Sequence, residues 1–141
     1  MPGILVGIDG SAHSQHALEW AAKEAALRHT SLTVLTVHQA VAGFWGGTLH
    51  YAGDESLTEK ARVAAQAETD KVLAALGGAR PASVTVKATN GQPAEEILNE
   101  GADAELIVLG SRGGGGFSRL LQGSISAHVT EHAKVPVTIT P

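Results

Sequence analysis

Residues 4 to 11 read Ile-Leu-Val-Gly-Ile-Asp-Gly-Ser, and the segment that they open decides the fold class. The apolar run from Ile4 to Asp9 stops at Gly10-Ser11, which predicts a buried strand that ends in a turn. From Ala12 to His29 the apolar residues recur at helical spacing, and nearly all of them are alanine, which lets a helix lie close to a sheet. This face consists of Leu18, Ala21, Ala22, Ala25 and Ala26.

The same alternation continues to the end of the chain. Further strands are predicted at residues 32–37, 83–88, 105–110 and 135–139. Further helices are predicted from a capping box at Ser56 to about Leu76, from Pro93 to about Glu100, and from Ser124 to Ala133, with a short turn near Phe117 to Leu121. Residues 39 to 55, which include Phe44, Trp45 and Tyr51, are expected to form an irregular loop.

Strands that alternate with helices predict an α/β fold. Because crossovers between parallel strands are right-handed, we expect a doubly wound, five-stranded parallel sheet with helices on both faces. Neither a repeat nor a linker is visible, so residues 1–141 are expected to form a single domain.

Composition narrows the class of function. The chain has 141 residues, a formal net charge of -4 and no cysteine, which argues against disulfides, a thiolate nucleophile and cysteine-ligated zinc. Its ten Lys and Arg residues form no cluster, so nucleic acid is not an expected partner. The amino-terminal residues lack the pattern of a signal peptide, and no apolar run is long enough for a membrane span. These features predict a cytoplasmic protein without membrane contact.

The most informative segment is Gly110-Ser111-Arg112-Gly113, followed after nine residues by Gly123-Ser124. Ligands of doubly wound sheets bind beyond the carboxyl ends of strands, and this segment follows the fourth strand. Glycines let backbone amides approach an anion, and we expect Gly123-Ser124 to open a helix whose free N–H groups face phosphate. The spacing matches neither a P-loop nor a dinucleotide fingerprint.

The glycine pattern, together with the Pro-Val-x-Ile strand that follows and the opening Val6-Gly7-Ile8-Asp9-Gly10-Ser11, resembles the universal stress protein family over nearly the whole chain. The resemblance implies that Asp9 faces a nucleotide and that the backbone of Val37 meets adenine. It also implies that the nucleotide is bound by the remaining residues of the expected site. These are Gly7, Gly110, Arg112, Gly113, Gly123, Ser124, Ile125 and Ser126. Asp9 as a helix cap and Val37 as an ordinary core residue stay open as alternatives.

The function that follows is binding of an adenine nucleotide, with ATP as the expected ligand and Mg²⁺ bridging its phosphates. AMP and a cyclic nucleotide stay open. We expect a stress-response or regulatory homodimer that pairs through an edge strand, Val135 to Thr140. A slow ATPase and a nucleotide-free interaction module are the alternatives, and no residue is assigned a catalytic role.

His128-Val129-Thr130-Glu131-His132 has the letters of an inverted zinc-protease motif. Two histidines four residues apart on a helix are able to share a metal, but the sequence shows no helix that would supply a third ligand. We therefore interpret the match as accidental and predict no metal site in the protein itself.

Overall fold

The computed structural model describes residues 3–38, 52–111 and 118–141. Its five strands form one parallel sheet in the order β3-β2-β1-β4-β5, which confirms the predicted fold class. The strands are β1 (Ile4–Ile8), β2 (Ser31–His38), β3 (Ser83–Asn90), β4 (Leu106–Gly110) and β5 (Val137–Thr140). The helices are α1 (Ala12–Arg28), α2 (Ala52–Ala75), α3 (Pro93–Glu100) and α4 (Ser118–His132).

Each face of the sheet has its own apolar core. On one face, alternate residues of β1 such as Ile4 and Val6 pack with α1 and α2. On the other face, Leu5 packs with Ile97 of α3 and Val129 of α4. The alanine face predicted for α1 is confirmed, because all five of its residues are buried and all except Ala26 belong to the first core. The sheet is therefore covered on both faces, and its strand ends are the places left for a ligand.

Helix α2 corrects one sequence-based prediction. It begins at Ala52, so the predicted capping box at Ser56 lies inside the helix and the predicted loop to residue 55 is too long. A cap contributes only about 1 kcal/mol. Here the helix packs on β3, and the Thr58 hydroxyl donates to Oδ1 of Asn90 at 2.8 Å. Phe44, Trp45 and Tyr51 lie outside the described residues.

Helix α4 corrects a second prediction. It begins at Ser118 and not at Ser124, so Gly123 and Ser124 lie within the helix. Leu121, Ile125 and Val129 are spaced by four residues, and this apolar period runs through the Gly-Ser pair. A local preference for a helix start at Gly-Ser is too weak to interrupt that period.

No helix within residues 3–38, 52–111 and 118–141 has the length and apolar character needed to cross a membrane.

Candidate functional site at the carboxyl edge of the sheet

A crevice opens where the strand order reverses, between β1 and β4. The pairing of these two strands runs from Ile4 opposite Leu106 to Val6 opposite Val108 and ends there in the described sheet. On the other side of β4, pairing with β5 continues as far as Gly110 opposite Thr140. The carboxyl ends of β1 and β4 therefore lie side by side without being joined, which is the place where doubly wound sheets bind ligands.

Backbone groups from two strands face this crevice. Along a strand, successive residues direct their peptide groups to opposite neighbours. The His38 carbonyl accepts from the amide of Gly91 beyond β3, at 3.1 Å, so the peptide groups of Val37 face the side of β1. The Ser111 amide donates to Thr140 beside β5, at 2.7 Å, so those of Gly110 also face β1. Val37 is half-buried in the second core, so its side chain packs and its backbone faces the crevice.

Asp9 stands at the end of β1 and is exposed. Its Oδ1 accepts from the amide of Ser11 at 3.0 Å, and its own amide donates to the Ser14 hydroxyl at 3.2 Å. Ser11 is the N-cap of α1, accepting from the amide of Ser14 at 3.1 Å. The helix cap is thus Ser11, while Asp9 fixes the turn before it. Gly10 completes this turn with a φ of 84°, a conformation that favours glycine.

Glu68 of α2 is a second acid at this turn that the sequence analysis missed. Its Oε1 lies 4.0 Å from the position that a Cβ on Gly10 would occupy. Burial, and next the charge of Asp9, raise the pKa of Glu68 above its ordinary value. Its Oε2 is buried without a hydrogen-bond partner. The signal was in the sequence, because Glu68 interrupts the apolar stripe of α2 between Ala65 and Val72.

Two further buried oxygens lack partners at the same edge. They are Oγ1 of Thr89, at the end of β3, and Oγ1 of Thr140, at the end of β5. With Glu68, they are all the buried side-chain oxygens or nitrogens without a partner among the described residues. Unpaired buried polar atoms are rare in folded proteins and call for a partner. They lie at the carboxyl edge, on both sides of the crevice.

Gly7 has a structural role, because neighbouring side chains pack closely against it. A Cβ on Gly7 would lie 2.9 Å from Cδ2 of Leu109 and 3.3 Å from Cδ1 of Ile97. The absence of a side chain lets α3 and β4 approach β1 closely. A ligand contact is not required to explain this glycine.

The remaining expected site residues fall into two groups. Arg112 and Gly113 lie outside the described residues, whereas Gly123 to Ser126 all lie within α4. The Ser126 hydroxyl donates to the carbonyl of Gly110 at 3.3 Å, which ties α4 to the end of β4. Ile125 is half-buried against the second core. In this conformation the free amides of α4 belong to its first turn, after Ser118, because interior amides bond within the helix.

A cavity lies at the opposite, amino edge of the sheet. Its volume is about 70 Å³. Ligand pockets for small molecules have roughly 300 Å³ or more, so this cavity has room for water and not for a nucleotide. The described residues that line it are Gly3, Ile4, Leu5, Ser31, Thr33, Glu100, Asp103 and Ala104.

Comparison with known proteins agrees with this fold. A universal stress protein of Mycobacterium tuberculosis is 33% identical over 151 residues, which cover 99% of this chain and 48% of that protein. The chain thus spans about half the length of the curated relatives it matches. The solved structure of the universal stress protein UspA from Lactobacillus plantarum is 25% identical, has a TM-score of 0.75, and is matched over 99% of this chain and 97% of that one.

The solved structure of a universal stress protein from Archaeoglobus fulgidus in complex with dAMP is 24% identical, with a TM-score of 0.62. The match covers 100% of this chain and 98% of that one, and it shows a shared fold. Residues 2–141 match the universal stress protein family as a whole. The chain therefore belongs to the universal stress protein family.

Proposed function

We propose that this chain binds an adenine nucleotide in the crevice between the carboxyl ends of β1 and β4, with ATP as the ligand. The observation that carries the proposal is the pair of backbone segments, at Val37 and Gly110, whose peptide groups face the end of β1 from two sides. Peptide groups of this kind can hydrogen-bond the edge of a purine and the hydroxyls of a ribose. The protein would act in the cytoplasm as a stress-response or regulatory factor.

The chemistry of the edge fits a nucleotide in two further respects. The carboxylate of Glu68 is able to accept from a hydroxyl or amino group of a ligand, and the hydroxyls of Thr89 and Thr140 are able to donate or accept, once the side chains that bury these atoms move aside. The dAMP complex of the Archaeoglobus fulgidus protein supports an adenine nucleotide as the ligand class. ATP in particular rests on the resemblance of the pattern formed by Gly110, Gly113, Gly123 and Ser124 to the nucleotide-binding pattern of the universal stress protein family. We propose that Mg²⁺ accompanies the phosphates, because it keeps most of its ligands from phosphate and water.

Calorimetric titration with ATP, AMP and cAMP, with GTP as the control, tests the ligand class. Mass spectrometry of small molecules released from the freshly purified protein identifies what it carries. Asp9→Asn should weaken binding of ATP by at least about tenfold if the carboxylate contacts the ligand or its metal. Asp103→Asn removes the same charge at the amino edge and should leave the affinity unchanged. No binding of any nucleotide would favour the nucleotide-free interaction module.

Gly123 tests the role of the glycine pattern. If the segment before Ser124 opens around phosphate, Gly123→Val should weaken binding of ATP by about tenfold or more, because a branched Cβ blocks close approach. Gly78→Val is the matched control, since a Cβ on Gly78 meets open space. If the bound protein keeps α4 intact from Ser118, Gly123→Val will leave the affinity unchanged, and the phosphates bind elsewhere.

We propose binding without rapid turnover. Phosphoryl transfer needs a group that orients water and cations that stabilise the transferred phosphoryl group, and the sequence motif supplies no lysine for that role. Glu68 is the observation that favours the alternative of a slow ATPase, because a carboxyl group with a raised pKa beside Asp9 is able to act as a base. A phosphate-release rate of about 1 s⁻¹ or faster, lost in Glu68→Gln, would establish the ATPase.

We also propose that two copies pair through β5, which lies at one edge of the sheet as expected. The Ile107 amide donates to the Pro136 carbonyl at 3.0 Å, and alternation then directs the amide of Thr138 towards β4 and that of Ile139 outwards. Ile139 is also 38% exposed. Thr138→Pro would not test this pairing, because the Thr138 amide faces β4 and its loss would break the β4–β5 pairing instead.

Ile139→Pro removes an outward donor and should shift the protein from dimer to monomer while it stays folded, because proline is tolerated where the missing N–H faced outwards. Thr138→Pro is the contrasting variant and should lower the free energy of unfolding. Light scattering gives the mass of each protein. A monomer mass for the unmodified protein at micromolar concentration would exclude the β5 dimer.

A further inference from the structure

The last turn of α4 carries two histidines that the nucleotide proposal does not use. His128 and His132 are both exposed and four residues apart. Their rings stack, with centroids 4.3 Å apart and an angle of 23° between the planes. Residues at this spacing lie on the same face of a helix. The two imidazoles therefore lie next to each other at the surface, on one side of α4. Nearly parallel rings direct their nitrogen lone pairs alongside each other, so the His128 ring has to turn about its Cβ–Cγ bond before both Nε2 atoms can reach one ion.

The tautomer of His132 follows from its hydrogen bond. Nδ1 of His132 lies 2.9 Å from the backbone carbonyl of His128. A carbonyl can only accept, so Nδ1 carries the hydrogen and the neutral ring keeps its lone pair on Nε2. Metal-ligating histidines commonly have this arrangement, in which the second ring nitrogen donates to a backbone carbonyl and fixes the ring.

The electrostatic setting also favours a cation. His132 is the last residue of α4, and the carboxyl end of a helix carries a partial negative charge. Glu131 is adjacent and exposed, so a carboxylate lies in the same turn. No group of three or more metal-binding side chains occurs in residues 3–38, 52–111 and 118–141. A catalytic zinc site has three protein ligands, so this pair of histidines differs from such a site.

We propose that His128 and His132 form a surface site for one divalent transition-metal ion, with water completing the coordination. Imidazole is a ligand for Cu²⁺, Ni²⁺ and Zn²⁺, whereas Mg²⁺ and Ca²⁺ take oxygen ligands. The site lies at the carboxyl end of α4, where the chain returns to the start of β5 at the amino edge of the sheet, so it is separate from the proposed nucleotide crevice at the carboxyl edge. The sequence motif alone predicts no metal site because no third ligand is visible, and the sequence does not show whether the two rings meet.

The experiment uses the whole chain, without a histidine tag, at neutral pH and without nucleotide. Calorimetric titration should show one site that binds Cu²⁺ most tightly, Ni²⁺ and Zn²⁺ more weakly, and Mg²⁺ not at all. His132→Ala and His128→Ala should each weaken binding of Zn²⁺ by at least about tenfold, because the second ligand of a chelate binds at high effective concentration. The electron paramagnetic resonance spectrum of bound Cu²⁺ should indicate two nitrogen ligands in the unmodified protein and one in each of these variants.

His16→Ala is the matched control, since it removes an exposed histidine from α1. That variant should bind Zn²⁺ as the unmodified protein does. Equal affinity of the unmodified protein and His132→Ala for Zn²⁺ would overturn the proposal, as would loss of binding in His16→Ala. Glu131→Gln decides whether the carboxylate is a third ligand, in which case the affinity falls, or a bystander, in which case it does not change.

Discussion

The two edges of the sheet are built differently, although the same strands form both. At the amino edge, the Glu105 amide donates to the carbonyl of Gly3 at 2.9 Å, and the Thr30 hydroxyl donates to Oε2 of Glu105 at 3.3 Å. Arg28 completes this group with an ion pair to Oε1 of Glu105 at 3.4 Å. At the carboxyl edge, Glu68, Thr89 and Thr140 each hold a buried oxygen without a partner.

The two edges should therefore contribute differently to the free energy of unfolding and to the proposed ligand binding. A buried polar atom without a partner costs about 1 to 3 kcal/mol, so the carboxyl edge carries a cost that the amino edge does not. A ligand that reached these atoms, after a shift of the side chains that cover them, would remove that cost on binding. The amino edge gains nothing from a ligand, because its polar groups already bond to each other. Substitutions at the two edges should therefore have different and predictable effects.

The largest effect is expected from filling the tightly packed amino edge. A Cβ on Gly101, after α3, would lie 2.7 Å from Cδ1 of Ile107 and 2.9 Å from the carbonyl oxygen of Ile97. Gly101→Ala should lower the free energy of unfolding by about 2 to 3 kcal/mol through overpacking. Gly78→Ala is the control, because its Cβ meets nothing within 4 Å and should change the free energy by less than about 0.5 kcal/mol. Urea denaturation measures both, and equal effects would show that the amino edge has room to adjust.

A middle-sized effect of opposite sign is expected when a hydroxyl is replaced at each edge. Thr30→Val removes the bond to Glu105 and should destabilise the protein by about 1 kcal/mol. Thr140→Val replaces an unpartnered, buried hydroxyl with a methyl group and should be neutral or stabilising by up to about 1 kcal/mol. Denaturation curves for the two variants provide the test. A loss of stability in Thr140→Val would mean that its hydroxyl has a partner in solution and that the contrast between the edges fails there.

The smallest effect concerns the pH dependence contributed by Glu68. Burial, and next the charge of Asp9, raise the pKa of this carboxyl group above its ordinary value of 4.5. The folded protein then binds the proton more tightly than the unfolded chain does. The destabilisation is absent below the unfolded-state pKa and grows as the pH rises through the folded-state pKa. The effect should stay below about 0.5 kcal/mol, because the carboxylate is only partly buried and water screens it.

Glu68→Gln should remove this dependence, so that the variant gains stability relative to the unmodified protein as the pH rises. Free energies of unfolding measured from about pH 4 to about pH 8 show the difference. Glu95→Gln, an exposed position on α3, provides the same loss of one charge. A constant difference between Glu68→Gln and the unmodified protein across this range would show that Glu68 is not shifted.

The sequence predicted the sheet well because buried strands and an amphipathic helix have distinct periods. Ile4 to Ile8 is continuously apolar, and α1 begins at Ala12 as expected. The prediction of helix starts at Ser56 and Ser124 was wrong, because a capping signal is local and weak compared with an apolar period or a contact with β3. Asp9 was predicted as a site residue because it ends an obvious strand, and its role stays a prediction. Glu68 was missed because its neighbours Asp9 and Gly10 lie more than fifty residues away in the sequence.

The strand order has a consequence for how the chain assembles. Among the described strands, β1 to β3 pair in sequence order, and so do β4 and β5, but β1 and β4 are joined by residues about a hundred positions apart. Closing so long a loop is costly in entropy, so this joint should form late in folding. The proposed ligand crevice opens at the end of this joint. A nucleotide bound there would contact both β1 to β3 and the β4–β5 pair, and would stabilise a contact that forms late. It should therefore slow unfolding more than it speeds folding.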